Sequence, residues 1–243
     1  LSILSNWKLN IKKIIDIKPQ SFSPRPKVDS TLLLFTPREN FFDLIDAKNE
    51  IQIINFLKTN KKNYDLLVIA DYGHGFISDK IASCITKNYK NTYINSQINS
   101  FNVRSQNIAK YEKSYCTVIN ESELRLDLRN NNNTINYLAS NFFKKYLIKI
   151  LVVTSGSKGA IIFFNNKNLK PIHCPAFGSN IIDKTGSGDS LLALLSLCIT
   201  SGLKENISLF IASLAAAESL QHLANSNTIS KNNLIKSVEN LLA

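Results

Sequence analysis

The feature that most constrains this chain is a glycine-containing turn that runs directly into an apolar helix. The turn covers residues 183–190, with the sequence DKTGSGDS, and the apolar residues 191–199 follow it. Glycines let the backbone turn tightly with converging N–H groups, and a helix start adds the positive end of its dipole. Such a turn could hold a phosphate, with Asp189 placed to accept a proton from an attacking hydroxyl. An ordinary loop with an Asp or Ser N-cap would show the same residues.

Three further segments place polar residues or glycines at the ends of predicted strands. Asn120 and Glu123 follow the predicted strand 116–119 and could organise Mg²⁺ and its waters, although the same pair also makes a good helix cap. The predicted strand 150–154 ends in a glycine turn, as a plain β-hairpin also would. Asp71 follows the predicted strand 66–70. Ligands gather at such strand ends in open α/β sheets.

Together, the four segments resemble the motifs of ribokinase-like (PfkB-type) carbohydrate kinases, in the order that the family has them. Residues 183–189 resemble D-T-x-G-A-G-D, with Lys184 for Thr and Ser187 for Ala, and residues 120–123 resemble N-x-x-E. Residues 153–160 are similar to V-T-x-G-x-x-G-A. Residues 70–75, ADYGHG, resemble the S-D-Y-x-x-G strand end of the branch near the heptose-phosphate kinases.

The resemblance implies a fold, two cofactors and a set of site residues. The fold is a three-layer α/β ribokinase-like domain with a mostly parallel sheet, and the cofactors are ATP and Mg²⁺. Asp189 is implied as the catalytic base, and the anion hole as Gly186, Ser187 and Gly188. The implied nucleotide-binding residues are Asn120, Glu123, Thr154, Gly156, Gly159 and Ala216, of which Asn120 and Glu123 also hold Mg²⁺ indirectly. The expected substrate contacts are Asp71, Asn99 and Asp183.

Two of these assignments have a plain structural alternative. Ala216 lies in an alanine run that could pack against adenine or against a neighbouring helix. Asn99 lies in a polar loop at a strand end, which could bind a sugar or be an Asn-rich turn without a ligand.

The first forty residues have a different character. Residues 17–30, IKPQSFSPRPKVDS, and the predicted strand 31–35 resemble the F-x-P-x-P-x-V-x-S segment of rRNA adenine dimethyltransferases. Closely spaced prolines leave such a segment few alternative structures, although an entry strand of the kinase domain is the alternative. The chain has neither a glycine-rich methyltransferase cofactor loop nor an N-L-P-Y motif. rRNA is therefore a possible partner only through residues 1–40.

We therefore expect two domains: a methyltransferase-like segment at 1–48 and a PfkB-like kinase domain at 49–243, joined between residues 41 and 54. The kinase motif G-G-x-x-x-N of the sugar-binding half is not found, so the fold is expected to be incomplete on its N-terminal side. The chain contains no methionine and begins with Leu1, which indicates a piece of a longer protein.

The composition of the chain limits its expected partners and its expected location in the cell. The net charge of +11 is spread along the chain, which favours attraction of anions such as ATP and sugar phosphates over a nucleic-acid patch. A membrane-spanning helix needs about 20 consecutive apolar residues, and no apolar stretch in the sequence approaches that length. No membrane contact is therefore expected. The four cysteines lack metal spacing and predict reduced thiols in a cytoplasmic protein.

Alternating strands and helices predict a mostly parallel sheet covered on both faces. The predicted strands are 66–70, 91–94, 116–119, 150–154, 160–164 and 169–174, and the predicted helices are 78–88, 121–129, 133–147, 188–200, 204–223 and 230–242. The sequence thus favours ATP-dependent phosphoryl transfer to a sugar or sugar-phosphate hydroxyl. The alternatives are an rRNA-binding, methyltransferase-derived fragment and a catalytically inactive truncated fusion.

Overall fold

The computed structural model describes residues 9–21, 30–37, 47–98, 107–178, 181–221 and 229–242. The chain divides into two compact units, Leu1–Asp46 and Ala47–Ala243.

The first unit contains a two-stranded antiparallel sheet. Strand β1 (Leu9–Ile17) pairs with β2 (Ser30–Pro37), with Ile11 opposite Phe35 and an irregularity between Lys13 and Ile15. The sequence predicts β2 as a shorter strand, 31–35, and does not predict β1. The proline-rich residues 22–29 lie outside the described residues.

The second unit alternates strands and helices along the chain. Its strands are β3 (Leu67–Asp71), β4 (Thr92–Ser96), β5 (Lys113–Asn120), β6 (Leu147–Thr154), β7 (Ala160–Phe164) and β8 (Ile172–Cys174). Its helices are α1 (Ala47–Asn60), α2 (Asp79–Asn88), α3 (Glu121–Asp127), α4 (Ile135–Lys145), α5 (Ser187–Thr200), α6 (Glu205–Ser219) and α7 (Lys231–Leu242).

These strands form one mixed sheet whose spatial order is the order in sequence, β3-β4-β5-β6-β7-β8. Strands β3 to β6 are parallel, whereas β7 and β8 are antiparallel to their neighbours. The parallel arrangement brings the carboxyl ends of four strands to one edge, where Asp71, Ser96, Asn120 and Thr154 are the last residues. The mostly parallel sheet expected from the sequence is confirmed.

The core lies on both faces of β5 and β6. Val118 and Val152 belong to a cluster with Leu195 of α5 and Leu209 of α6. The residues that alternate with them along the strands, among them Val153, point to the opposite face and are also buried. Burial of both alternations explains why these strands are continuous apolar runs, as expected for a parallel sheet covered on both sides.

In the second unit the element boundaries agree with the predicted ones to within three residues, apart from the unpredicted helix α1 and the C-terminal end of α6. The first residues of α1 fall within the predicted join, 41–54. Strand β8 begins at Ile172 rather than 169, because residues 166–169 form a turn in which the backbone N–H of Leu169 donates to the carbonyl of Asn166 at 3.1 Å. Helix α6 ends at Ser219, earlier than the predicted 223.

Gly159 closes the hairpin between β6 and β7 where the backbone of a third strand passes closely. Its φ is +85°, and a Cβ added there would lie 2.1 Å from the carbonyl oxygen of Cys174. The position therefore excludes any side chain, both by conformation and by space. This gives Gly159 a packing role independent of any ligand.

We expect Gly159→Ala to destabilise the protein by about 2–3 kcal/mol, since the strain of a positive φ adds to a backbone clash. The measurement is urea unfolding followed by circular dichroism. Gly156→Ala is the matched control, because Gly156 also has a positive φ, +55°, but a Cβ there would meet nothing within 4 Å. Equal losses in both variants would contradict the steric argument.

Candidate active site

The glycine turn lies at the N-terminus of α5. Gly186 is the N-cap with φ 81°, and the first helical hydrogen bond runs from Ser190 N–H to the Gly186 carbonyl at 2.9 Å. The N–H groups of residues 187–189 lie before the first helical hydrogen bond, so no carbonyl of the helix can accept from them. A Cβ added to Gly188 would meet nothing within 4 Å, so the space beside this residue is open. An anion would fit such a cradle.

The residues before the glycines are held in a defined turn. Asp183 Oδ1 accepts hydrogen bonds from the Thr185 backbone N–H at 3.0 Å and from its hydroxyl at 2.8 Å. The Asp183 N–H lies 3.3 Å from the carbonyl of Leu220, just after α6. The hydroxyl of Ser187 donates to the Lys184 carbonyl at 3.0 Å. Asp183 therefore shapes the approach to Gly186.

Asp189 projects from the first turn of α5 and has two unlike carboxylate oxygens. Oδ2 accepts a hydrogen bond of 2.7 Å from the hydroxyl of Tyr72. Oδ1 is buried and has no hydrogen-bond partner in the part of the chain that the structure describes. The hydrogen bond to Asp189, together with partial burial, raises the pKa of Tyr72 to about 12. Tyr72 is therefore a neutral donor near neutral pH.

Asp71, expected to contact substrate, is instead the centre of a buried hydrogen-bonded cluster. It is 4% exposed, and Oδ1 accepts from the Gly73 N–H at 3.0 Å. Oδ2 accepts from the hydroxyl of Tyr111 at 2.9 Å and lies 2.6 Å from the ammonium of Lys110. Burial, and then the neighbouring Asp71, raise the pKa of the Tyr111 phenol. The cluster fixes the backbone on either side of Tyr72.

Asn120 and Glu123 form the helix cap that was the structural alternative for this pair. Asn120 Oδ1 accepts from the Ser122 N–H at 3.0 Å, and Glu123 Oε2 accepts from the Asn120 N–H at 3.1 Å. Glu123 Oε1 accepts from the N–H of Ile98, two residues after β4, also at 3.1 Å. Burial raises the pKa of Glu123, against the effect of these two N–H donors. Asn120 Oδ1 also accepts from the hydroxyl of Ser122. Each Glu123 oxygen takes only one backbone N–H, so lone pairs remain on Glu123 that could bind waters around a cation.

The turn after β6 borders a surface cavity of about 290 Å³. The cavity is lined by Glu121, Arg125, Ile135, Ser155, Lys158, Gly159, Ile161 and His173. Ser155 donates to Glu121 Oε2 at 2.8 Å, which links this turn to α3. Hydrogen bonds from Arg125 and then from Ser155 lower the pKa of Glu121. Of the expected nucleotide residues, Gly159 lines this cavity, and Thr154 and Gly156 lie on either side of Ser155.

The two remaining expected residues, Ala216 and Asn99, have different outcomes. Ala216 is half-buried and packs against the core cluster, as the helix-packing alternative has it. Asn99 lies outside the described residues. Sequence reasoning missed the roles of Tyr72, Lys110 and Tyr111. Only Tyr72 carried a signal, because it follows Asp71 in the motif, whereas the contact with Asp189 spans 117 residues.

The described residues show neither a cluster of metal-binding side chains nor a membrane-spanning helix. Within them, no group of three or more His, Cys, Asp or Glu side chains is arranged to hold a metal ion. None of the helices in the described ranges is both long enough and apolar enough to cross a membrane. All four cysteines are free in the structure.

Comparison with known proteins identifies relatives of both parts of the chain. Residues 52–232 match the pfkB family carbohydrate kinases. The bifunctional protein HldE of Aliarcobacter butzleri is 27% identical over 190 residues, which are 76% of this chain and 38% of that protein. The chain thus spans about two fifths of the length of this relative. The N-terminal 49 residues are 82% identical to the ribosomal RNA small subunit methyltransferase A of Pelagibacter ubique, covering 20% of this chain and 19% of that protein.

Solved structures give the same fold. The ribokinase of Arabidopsis thaliana, solved with ribose and ATP, superposes with a TM-score of 0.61 at 16% identity, over 86% of this chain and 64% of that one. The ribokinase of Thermotoga maritima superposes with a TM-score of 0.59 at 19% identity, over 87% and 66% of the two chains. Both resemblances noted in the sequence, to carbohydrate kinases and to rRNA methyltransferases, are confirmed.

Proposed function

Because the chain belongs to the pfkB family of carbohydrate kinases, we propose that it transfers a phosphoryl group from ATP to a hydroxyl of a sugar or sugar phosphate. The observation that carries the proposal is the pairing of an open glycine cradle at a helix N-terminus with the half-satisfied carboxylate of Asp189. The resemblance of residues 70–75 to the branch near heptose-phosphate kinases supports a sugar phosphate of that class as the acceptor.

In this proposal, each part of the site has one task. The N–H groups of Gly186, Ser187 and Gly188 stabilise negative charge on the transferring group. The Asp189 carboxylate accepts the proton of the acceptor hydroxyl as the hydroxyl oxygen attacks the phosphorus. Bound Mg²⁺ and ATP would supply charge neutralisation and the phosphoryl group.

Other residues hold the cofactors or the site itself. Asn120 and Glu123 would organise the waters of Mg²⁺, and the nucleotide edge would be Thr154, Gly156, Gly159 and Ala216. The buried, ion-paired Asp71 holds the backbone beside Tyr72 in place and does not contact the acceptor. Asp183 fixes the turn before Gly186. Asn99 remains the proposed contact with the acceptor. A cytoplasmic location follows from the same proposal, because ATP and sugar phosphates are found there.

Nucleotide binding gives the first test. With Mg-ATP at ten times its Kd, mass action adds about 1.4 kcal/mol, which for a protein of this size raises Tm by about 3–5 °C. Differential scanning fluorimetry with millimolar Mg-ATP measures the shift.

The matched variant is Gly188→Asp. Since the space beside Gly188 is open and an acid in the first turn of a helix is favourable, the variant should fold as well as the parent. Its carboxylate would occupy the position of a bound phosphate and repel its negative charge, so the rise in Tm with Mg-ATP should disappear. A shift of equal size in both proteins would place the nucleotide elsewhere, and no shift in the parent would overturn the proposal.

One observation favours a second candidate function, binding of rRNA through residues 1–40. The 82% identity to a small-subunit rRNA methyltransferase covers this part of the chain. A chain that binds a fragment of small-subunit rRNA at about 0.15 M salt, but shows no response to Mg-ATP, would favour this candidate or a catalytically inactive truncated fusion.

A further inference from the structure

We infer that Tyr72 is a positioning residue for phosphoryl transfer: its hydroxyl holds Asp189 Oδ2 and thereby fixes the orientation of the carboxylate that takes the proton of the acceptor hydroxyl. The inference rests on the proposed function, in which Asp189 is the base. It adds a residue to the site that the glycine turn and the strand-end motifs do not assign.

The contact selects one orientation of the carboxylate. Asp189 lies in the first helical turn of α5, and its side chain has two rotatable bonds with several staggered and broad minima. The hydroxyl of Tyr72 is 2.7 Å from Oδ2 and joins the end of β3 to the start of α5. A hydrogen bond from a neutral donor to a carboxylate is among the stronger ones in proteins. One such bond therefore restricts the carboxylate to one orientation, with Oδ2 toward Tyr72 and Oδ1 turned inward.

Tyr72 can restrain Asp189 because its own backbone is anchored. The ring is 47% exposed, so packing alone does not hold it. The residue on its N-terminal side, Asp71, is buried and ion-paired with Lys110, and the residue on its C-terminal side, Gly73, donates its N–H to the Asp71 carboxylate. The tyrosine thus projects from a short turn clamped at both ends.

The unequal state of the two oxygens explains the benefit for transfer. A buried oxygen without a donor costs free energy, and the hydrogen bond from Tyr72 to the other oxygen offsets part of the cost of holding the carboxylate in this orientation. During the step, the acceptor oxygen forms its bond to phosphorus, the bond from phosphorus to the leaving ADP breaks, and the hydroxyl proton moves to the Asp189 carboxylate. Oδ2 keeps its hydrogen bond from Tyr72 throughout, so the carboxyl group does not have to reorient.

Tyr72→Phe tests the role, with Tyr137→Phe as the matched control, because Tyr137 is equally exposed at 49% and lies on α4. We expect Tyr72→Phe to lower kcat for ADP release by about 10–100-fold, as misplacement of a reacting group does, with KM for Mg-ATP within about twofold. Tyr137→Phe should change neither constant. A kcat for Tyr72→Phe within twofold of the parent would overturn the inference, as would a matching rise in KM and loss of Tm.

A second readout does not depend on activity. In protein labelled with ¹³C at the tyrosine ζ carbon, the Tyr72 resonance, assigned by its absence from Tyr72→Phe, should report a mainly neutral phenol at pH 11. The carboxylate partner raises its pKa to about 12, so in Asp189→Asn the same resonance should become largely ionised at pH 11. Ionisation of Tyr72 together with the exposed tyrosines of the parent would overturn the positioning inference. Absence of ADP release from the parent would instead overturn the proposed function.

Discussion

Asp189→Asn is expected to lower ADP release from Mg-ATP by about a hundred- to ten-thousandfold, the usual contribution of a general base. An amide oxygen cannot take the proton of the acceptor hydroxyl, whereas the N–H groups of residues 186–188 keep their positions. Nucleotide binding should therefore change by no more than about twofold. The measurement is a coupled assay of ADP formation with heptose phosphates and simpler sugar phosphates as acceptors, next to the thermal shift with Mg-ATP.

The control for this variant is Asp79→Asn. Asp79 is likewise an acid in the first turn of a helix, α2, but it is exposed and lies at another helix end. It should leave ADP formation within about twofold of the parent, so that an effect of helix-end charge alone is separated from loss of the base. If Asp189→Asn kept the parental rate, Asp189 would not be the base, and the proposed mechanism would fail with it.

The second large effect is expected from Asp71→Ala, which should reduce the free energy of unfolding by about 3–5 kcal/mol. The substitution leaves the ammonium of Lys110, whose side chain is 11% exposed, without its carboxylate, and it leaves the Tyr111 hydroxyl without its acceptor. An uncompensated buried charge costs much more than the intact pair contributes. Urea unfolding at pH 7 measures the loss.

A combined variant separates the charge effect from simple loss of packing. Asp71→Leu with Lys110→Met and Tyr111→Phe removes the two charges and the phenol hydroxyl that depend on one another, while the Gly73 N–H and the Ile77 carbonyl each lose one hydrogen bond. Much of the lost stability should therefore return. Tyr72 would still have lost its anchor, and ADP formation should remain low. A loss below about 1 kcal/mol for Asp71→Ala would contradict this account, because the pair would then behave as a solvent-exposed salt bridge.

The sequence predicted the sheet well because its central strands β5 and β6 are buried on both faces. Such strands contain short apolar runs, and a polar residue, Asn120 or Thr154, ends each of the two. Helix α1 was not predicted, because it is only weakly amphipathic, with exposed Ile51 and Phe56 on its surface. Strand β1 has the sequence LNIKKIIDI, which follows neither a strand nor a helix period over its whole length.

The site was predictable where its geometry is local. The glycine turn before the apolar helix occupies eight consecutive residues. The capping residues Asn120 and Glu123 are only three positions apart, so both patterns can be read from the sequence. The contact of Tyr72 with Asp189 was not predictable, because it depends on how far apart β3 and α5 lie in space. The ion pair of Asp71 with Lys110 was missed for the same reason, since a strand-end aspartate has the same sequence pattern whether it faces a ligand or a buried lysine.

The order of the strands has a consequence for how the protein folds. Every strand from β3 to β8 pairs with its neighbour in the chain, so the sheet can grow one strand at a time as residues leave the ribosome, with little entropy spent on closing long loops. The hydrogen bond between Tyr72 and Asp189 differs, because it joins residues 117 positions apart across this sheet. A nascent chain that ends before α5 would lack both Asp189 and the helices α5 and α6 that cover one face of the sheet. Catalytic competence should therefore arise last, together with completion of the core.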